Sequence, residues 1–86
     1  MKHEKKVHPP YFQYILDGKK TFELRLADWD CKEGDNLILH EWDPRTKKYT
    51  GRKLEKKIIY VIKTKDINFW SQKEIDKYGY QIISFK

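Results

Sequence analysis

Cysteine is nearly absent from this sequence, in which Cys31 is the single cysteine. One cysteine excludes the intramolecular disulfides that stabilise many small secreted domains. Residues 1–10 are charged and lack the apolar centre of a signal peptide. No apolar run of the sequence approaches the roughly 18 residues that a membrane-spanning helix requires. We therefore expect a cytoplasmic protein that has no membrane partner.

Arginine is also scarce, and most of the positive charge comes from lysine. The formal net charge is +6, from 19 Lys and Arg against 13 Asp and Glu, and the arginines are Arg25, Arg45 and Arg52. A basic balance favours polyanionic partners such as nucleic acid. A lysine-rich surface that keeps a small protein in solution explains the same count, and charge alone slightly favours this second interpretation.

The chain is long enough for one domain, residues 1–86, and for a modest core. A domain of this size buries only about 60–65% of the surface that its unfolded chain exposes. Aromatic residues make up 15% of the sequence, and each can bury roughly 150–250 Å². We therefore expect aromatic side chains to supply much of the core.

Short apolar patterns of strand or helix type follow one another along the chain. They predict strands at residues 3–7, 20–26, 36–42, 52–63 and 80–85, and helices at 9–17 and 72–78. The second helix would begin with a capping box at Ser71 and end at Gly79, although a loop fits that stretch nearly as well. About five strands with one or two short helices predict an α+β, mostly β fold, a small and partly closed β-barrel.

One segment carries a recognisable motif, Gly18-Lys19-Lys20-Thr21-Phe22-Glu23-Leu24-Arg25. It matches the pattern G-x-K-x-x-E-x-R of ASCH domains, and residues 18–25 are called the signature segment below. Further short motifs resemble, in the same order, a small ASCH-like family of bacterial and phage proteins of unknown function. These motifs are His3-Glu4, Pro10-Tyr11-Phe12, Gly34-Asp35, Glu41-Trp42-Asp43, Tyr49-Thr50-Gly51-Arg52 and Gly79-Tyr80.

The resemblance implies a PUA-like barrel, a fold whose members commonly bind RNA, with the RNA cleft beside the signature. Some relatives are enzymes, since one ASCH type is similar to an amidohydrolase acting on acetylcytidine and another is reported as a ribonuclease. After the signature the small family typically reads basic-Asn-Asp-Arg, whereas this chain reads Leu26-Ala27-Asp28-Trp29. Asp28 is retained, and Trp29 could replace the arginine contact by stacking a base.

The side chains of the signature segment suit a nucleotide. Arg25 can hold a phosphate through two parallel N–H bonds, and Lys20 adds positive charge. Glu23 can accept hydrogen bonds from the amino group of a base. The alternative is an exposed strand with an ordinary i, i+2 ion pair, which stabilises by about 0–1 kcal/mol. Together with the resemblance, the pattern favours the nucleotide site.

A second basic cluster surrounds Tyr49 in the hairpin predicted between residues 36 and 63. Basic residues interleaved with an aromatic suit single-stranded nucleic acid, while lysines that guard an edge strand explain the pattern equally well. The candidate nucleic-acid-binding residues of both regions are Lys19, Lys20, Glu23, Arg25, Asp28, Trp29, Arg45, Lys48, Tyr49 and Arg52.

Three classes of function remain open at the level of sequence. We favour a monomeric module that binds RNA or a nucleotide without a cofactor, with DNA as a further ligand. An enzyme on RNA or a modified nucleoside would use Lys20, Thr21, Glu23 and Arg25, although Glu23 stands where the amidohydrolase-like relatives have a threonine. A protein-interaction module is the third class. The histidines lack metal-ligand spacing, so no metal site is predicted, and His40 faces either the cleft or the surface.

Overall fold

The structure is a computed structural model, and it describes residues 1–85. Its elements are strand β1 at Lys2–Val7, helix α1 at Pro9–Leu16, strand β2 at Asn36–Asp43, strand β3 at Lys48–Lys57, a single 3-10 turn at Thr64–Asp66 and helix α2 at Gln72–Tyr78. The protein is therefore a small mixed α+β structure, and this part of the prediction is confirmed.

The three strands form one sheet in the order β1–β2–β3. β1 runs parallel to β2, and β2 runs antiparallel to β3. In the central register Lys5 lies beside Leu39, and Leu39 lies beside Leu54. Because β2 is the middle strand, β1 is an edge strand whose outer backbone groups need partners from elsewhere.

Helix α1 begins and ends where its sequence dictates. Pro9 and Pro10 occupy its first turn, where a missing N–H costs no hydrogen bond. Gly18 follows the helix with a φ of +76°, and its N–H donates to the Ile15 carbonyl at 3.0 Å. Glycine adopts this left-handed conformation without a Cβ clash. The turn leads the chain directly into the signature segment.

A small apolar core lies between α1 and one face of the sheet. Its buried side chains are Val7, Phe12, Ile15 and Leu39, and Leu37 and Leu54 pack against them. Phe12 and Ile15 are three positions apart, so one side of α1 faces the sheet. Burial of side chains of this size contributes about 1.5–3 kcal/mol each. The core thus fixes α1 on the sheet. His40 and Trp42 alternate with the buried residues of β2 and are half-buried.

A bulge interrupts the pairing of β2 with β3. On β2 the ladder advances from His40 to Trp42, while on β3 it moves from Lys53 to Tyr49. Gly51 lies inside this bulge with a φ of +96°. A residue with a side chain would adopt this positive φ only at a cost in free energy. The bulge therefore depends on a glycine at this position.

The bulge places two donors on the buried carboxylate of Glu41, of which only 4% is exposed. Arg52 donates two charged bonds of 3.0 and 2.9 Å, and the Thr50 hydroxyl donates a third of 2.5 Å. The bonds from Arg52 and then from Thr50 hold the pKa of Glu41 below its ordinary value of 4.5, against the opposing effect of burial. The Arg52 guanidinium also lies 4.9 Å from the ring centroid of Phe12, which connects the bulge to the core.

Both helices and the first two strands agree with the sequence prediction. α1 ends one residue before its predicted end, and β1 and β2 each lie within one residue of their predicted bounds. α2 has the predicted capping box, in which Ser71 and Glu74 each accept a hydrogen bond from the other's backbone N–H. Gly79 ends α2 with a φ of +67°.

The remaining strand predictions differ from the structure. The segments 20–26 and 80–85 join no ladder, and the strand predicted at 52–63 is instead β3 at Lys48–Lys57. Apolar alternation indicates the two faces that a strand would have, but a ladder also needs a neighbour in register. Within residues 1–85 the sheet has three strands and is not closed, so a barrel of five strands is not formed here.

The hairpin between β2 and β3 is tighter than the sequence indicates. Lys47 takes a φ of +56°, and its N–H donates to the Asp43 carbonyl at 2.8 Å. Pairing therefore begins at Lys48, and half of the predicted basic loop becomes strand. At the other end Ile58 exchanges two backbone bonds of 2.8 Å with residues 34–35, and the ladder stops.

Apolar side chains outside the sheet remain largely uncovered. Leu24 is 65% exposed, Ile59 81% and Ile83 72%. The hydroxyls of Thr21 and Ser84 are in hydrogen-bond contact, so the signature segment lies beside the last described residues of the chain. Neither helix described here is long and apolar enough to cross a membrane.

Candidate functional site

The signature segment is organised around the carboxylate of Glu23. One oxygen accepts a bond from Lys20 Nζ at 2.8 Å, and the other accepts from Arg25 Nε at 2.7 Å. The Glu23 and Lys20 side chains are each only 15% exposed, so water screens this group less than an ordinary surface ion pair. Glu23 therefore fixes the directions of two cations, and both of its oxygens are engaged by them.

Arg25 connects the signature segment to the sheet. Its Nη2 donates to the backbone carbonyl of Lys6, which lies on the edge strand β1. Lys20 Nζ similarly donates to the Phe22 carbonyl at 2.7 Å. Side-chain bonds of this kind occupy carbonyls that a strand ladder would otherwise use. The bond from Arg25 to Lys6 connects the signature segment to β1, and the segment forms no fourth strand.

A cleft of about 620 Å³, called the large cleft, opens beside Arg25. Its lining residues are Glu4, Lys5, Lys6, Arg25, His40 and Tyr49. The volume is in the range of about 300–1,000 Å³ that is typical of ligand sites. Three of the six lining side chains are cations and one is acidic. The large cleft therefore offers positive potential to an anionic ligand.

Aromatic rings lie in and next to the large cleft. Tyr49 meets Trp42 edge to face with ring centroids 4.9 Å apart, and His40 lies 5.8 Å from Tyr49. Lys6 Nζ is 4.0 Å from the Trp42 centroid and 5.6 Å from that of Tyr49. His40 Nε2 is also 2.9 Å from a carboxylate oxygen of Glu4. A flat ring, a cation and a hydrogen-bonding pair are thus presented together, and His40 faces the cleft.

A second cleft of about 270 Å³, called the small cleft, adjoins the first. It is lined by Lys5, Arg25, Leu26, Asp28 and Trp29. Lys5 and Arg25 line both clefts, so the two meet at these cations. Lys5 Nζ lies 4.0 Å from the ring centroid of Trp29. The small cleft therefore also combines a cation with an aromatic ring.

Trp29 is positioned by a network at the start of β1. The His3 ring lies 5.2 Å from the Trp29 ring, and His3 Nε2 is 2.8 Å from Asp35 Oδ2. Asp35 is buried, and its hydrogen bond with His3 holds its pKa below the ordinary value of 3.8. Burial opposes this lowering of the pKa, and the Lys32 N–H supports it. The network ties the small cleft to the turn that precedes β2.

The structure brings part of the predicted site together. Arg25, Asp28, Trp29 and Tyr49 line the clefts. Glu23 accepts a hydrogen bond from Arg25, and Lys20 donates to the other oxygen of Glu23. Tyr49 comes from β3 and the others from residues 20–29, so the fold joins the two regions that sequence reasoning treated separately. Thr21, the candidate hydroxyl for an enzyme, contacts Ser84 and lines neither cleft.

Besides Lys20 and Glu23, four predicted binding residues lie outside the two clefts. Lys19 packs over the ring of Tyr14 on α1, and Lys48 is the first residue of β3. The Arg45 side chain is 90% exposed at the hairpin tip. Arg52 is engaged by the carboxylate of Glu41, which assigns it to the bulge. The hairpin tip therefore does not fold over the signature segment as a group of cations.

Sequence reasoning missed the residues that β1 contributes. Glu4, Lys5 and Lys6 line the large cleft, and Lys5 also lines the small one. Charged residues on a short predicted edge strand are normally solvated. Only the packing of residues 20–29 against β1 gives these side chains a cleft, and no local sequence signal reports that packing.

The site can bind an anion that carries flat rings. Its cations suit a phosphate, and its aromatic side chains suit bases. Among residues 1–85 no group of three or more His, Cys, Asp or Glu side chains is arranged to hold a metal ion. The chemistry available in the clefts is therefore charge, stacking and hydrogen bonding.

Comparison with known proteins gives a family and a phage relative. A family model described as "Domain of unknown function (DUF3850)" matches residues 2–84. The chain is also similar to the "Uncharacterized 12.9 kDa protein in GpA 3'region" of Escherichia phage P2, with 45% identity over 68 residues, or 79% of this chain. The chain spans 58% of the length of that relative. No solved structure matches significantly. Because the family model covers nearly the whole chain, the chain belongs to the DUF3850 family.

Proposed function

We propose that this protein is a nucleic-acid-binding module that holds RNA or a nucleotide in the two adjoining clefts, with single-stranded DNA as a further ligand. The observation that carries the proposal is the position of Lys5 and Arg25 at the junction of two clefts that each contain an aromatic side chain. Cations neutralise phosphates and flat rings stack bases. A ligand with both groups matches the clefts better than a simple anion does.

Arg25 is the central residue of the proposed site. A guanidinium has five N–H donors, and the bonds to Glu23 and to the Lys6 carbonyl use two of them. The remaining donors can bind a phosphate. Because those two bonds already order the side chain, less conformational entropy is lost when the ligand binds.

Glu23 is a positioning residue in this proposal. Both of its oxygens accept hydrogen bonds from Lys20 and Arg25. The carboxylates that recognise a base in this proposal are therefore those that line the clefts. Glu4 lines the large cleft and Asp28 the small one. Either can accept a hydrogen bond from the amino group of a base. Neither Thr21 nor Cys31 lines these clefts, and the proposal includes no covalent step.

The wider relationship that we propose is with ASCH domains of the PUA-like fold. The lysine, glutamate and arginine of the signature form one hydrogen-bonded group beside the clefts, which supports a shared role for the motif. In this proposal the segments 20–26, 58–63 and 80–85 complete a PUA-like barrel. The contact of Thr21 with Ser84 supports it, as does the exposed apolar surface that closure would cover.

The binding proposal is tested by fluorescence anisotropy with labelled single-stranded RNA and DNA oligonucleotides. We expect binding that weakens as salt rises from about 50 to about 200 mM, because phosphate contacts release counterions. Arg25→Ala should weaken binding at least about 10-fold, since a hydrogen bond to a charged group contributes about 1.5–3 kcal/mol. Arg45→Ala is the matched control, because Arg45 is exposed at the hairpin tip outside both clefts.

The two arginine variants separate a specific site from general attraction. Equal small losses in both variants would mean that the whole basic surface attracts the strand, and the cleft proposal would be wrong. Absence of binding at the lowest salt would contradict the proposal as well. Circular dichroism spectra of both variants establish that each one is folded.

A further inference from the structure

We infer that the two clefts bind two successive nucleotides of one strand, with the phosphate that joins them held between Lys5 and Arg25. This inference rests on the proposed function, and it adds the length and the strandedness of the ligand. One base lies beside Tyr49 in the large cleft, and the next lies beside Trp29 in the small cleft.

The two cations at the junction give the first argument. Lys5 and Arg25 are the residues that the two linings have in common. A group bound to both has the large cleft on one side and the small cleft on the other. A phosphodiester has one nucleoside on each side. The junction therefore matches a bridging phosphate rather than a terminal one.

The two clefts repeat the same kinds of side chain, which gives the second argument. The large cleft has Tyr49 as its ring and Glu4 as its carboxylate, and the small cleft has Trp29 and Asp28. An aromatic ring stacks any base, and a carboxylate accepts hydrogen bonds from the amino group of cytosine. Each cleft thus has the parts of a base site, and the cations that they share suit one phosphate.

The present position of Lys5 gives the third argument. Lys5 Nζ lies 4.0 Å from the ring centroid of Trp29 in the small cleft. An ammonium over a ring occupies space that a stacked base would take. When a strand binds, the base replaces the ammonium on the ring and the ammonium moves to the neighbouring phosphate. Lys5 therefore keeps a partner in both states.

Two separate base sites require a single strand. In a duplex the bases are paired and stacked on each other, and exposing one to a protein ring costs energy. Bases of a single strand can be splayed apart and stacked on aromatic side chains. The inference therefore predicts that a single strand binds more tightly than the duplex of the same sequence.

Isothermal titration with a dinucleoside monophosphate and with the two matching nucleoside monophosphates tests the inference. The first has two bases and a single phosphodiester charge, whereas each mononucleotide carries a charge of about −1.5 to −2. Charge alone would favour the mononucleotides. We expect the dinucleoside monophosphate to bind about 10-fold more tightly or better, because it adds a second stacked base. Ribose and deoxyribose forms are compared, which separates RNA from DNA as the source.

Ring variants locate the two bases. Trp29→Ala and Tyr49→Ala should each weaken binding of the dinucleoside monophosphate about 10-fold. Trp29→Phe keeps a flat ring and should recover most of the loss. Trp70→Ala is the control, because Trp70 is an exposed tryptophan that lines neither cleft, and it should leave binding unchanged.

The outcomes distinguish this inference from the proposed function. If mononucleotides bind in a manner that depends on Arg25 and the dinucleoside monophosphate binds no better, the two-nucleotide inference is wrong and the proposed function stands. Tighter binding of a duplex than of its single strands would also show that the two-nucleotide inference is wrong, while the proposed function would stand. If none of these ligands binds, both the inference and the proposed function are overturned.

Discussion

Glu23 is, at the scale of single residues, the carboxylate that orders two cations of the signature segment. It receives charged bonds of 2.8 Å from Lys20 and 2.7 Å from Arg25. The pair of bonds fixes where each cation points and neutralises one of them. Arg25 therefore lies beside Lys5 at the junction of the clefts with a defined orientation.

Glu23→Gln tests this positioning role. Glutamine has nearly the same size, but it cannot hold two cations by charge, so Arg25 loses its fixed orientation. We expect binding of a single-stranded oligonucleotide to weaken about 10-fold, within the range of one charged hydrogen bond. The salt dependence should keep its slope, because the number of neutralised phosphates is unchanged.

Arg25→Gln is the comparison for that measurement, and Glu55→Gln is its control. Arg25→Gln should lower both the affinity and the slope against salt, since it removes a phosphate contact. Glu55→Gln alters an exposed ion pair with Lys2 and should change neither one. A Glu23→Gln protein that binds as tightly as the unaltered protein would contradict the positioning role.

Glu41 gives a prediction for acid conditions. Hydrogen bonds from Arg52 and Thr50 hold its pKa below 4.5 in the folded protein. Since the folded-state pKa is the lower one, the ionised carboxylate stabilises the fold above about pH 4.5, and this stabilisation is lost as the pH falls through the lowered value. We therefore expect the urea midpoint to fall as the pH drops below about 4.5.

Glu41→Gln separates this carboxylate from the other acids. The variant should be less stable than the unaltered protein at neutral pH, and its urea midpoint should fall less steeply in acid. Part of the acid dependence should remain, because the pKa of Asp35 is also lowered. Identical acid profiles for the variant and the unaltered protein would show that Glu41 is not the group responsible.

At the scale of elements, the bulge in β3 depends on Gly51 and its φ of +96°. Apart from Gly51 and its two chain neighbours, no residue has an atom within 4 Å of the position of an added Cβ, so Gly51→Ala would be opposed by its backbone conformation alone. We expect a loss of about 1–2 kcal/mol in the free energy of unfolding, measured in urea. Lys53→Ala, two residues along the same strand, is the control and should have little effect. An unchanged stability of Gly51→Ala would mean that the bulge does not require the left-handed conformation.

Elements whose signals are local could be predicted from the sequence. Two prolines mark the start of α1 and a turn glycine marks its end. Ser71 marks the start of α2 and Gly79 marks its end. Strand β3 could not be bounded, because its start depends on the left-handed turn at Lys47. The alternation in 20–26 predicts a strand, but this segment joins no ladder, and Lys20 and Arg25 bind backbone carbonyls by their side chains. Pairing between distant segments has no local signature.

The same distinction applies to the candidate site. The sequence alone predicts two of the lining residues. The signature segment indicates Arg25 as a binding residue, and the polar stretch after it indicates Trp29. The cleft itself is made by the approach of residues 20–29 to β1 and of Tyr49 from β3. Sequence reasoning does not identify Lys5, because its place in both linings depends on which segment lies beside an edge strand. The sequence predicts Arg52 as a binding residue, and it does not reveal the bulge that directs this side chain to Glu41.

At the scale of the whole molecule, the buried core is small and much apolar surface is exposed. Ile59 is 81% exposed, so Ile59→Ala should change stability by less than about 0.5 kcal/mol if the chain stays open. The proposed barrel instead predicts a loss of about 2 kcal/mol or more, since closure would bury this side chain. Leu16→Ala, at a partly exposed position on α1, is the control for a general effect of truncation. A neutral Ile59→Ala would contradict the barrel.

The central claim is that the clefts, rather than the basic surface as a whole, receive the nucleic acid. An NMR titration of isotope-labelled protein with a short single-stranded oligonucleotide tests it most directly. The account predicts amide shifts at residues 4–6, 23–29, 40 and 49 that weaken with salt, with little change at the hairpin tip, residues 44–47. Shifts spread over the lysines of β3 and α2, or no shift in the clefts, would contradict it.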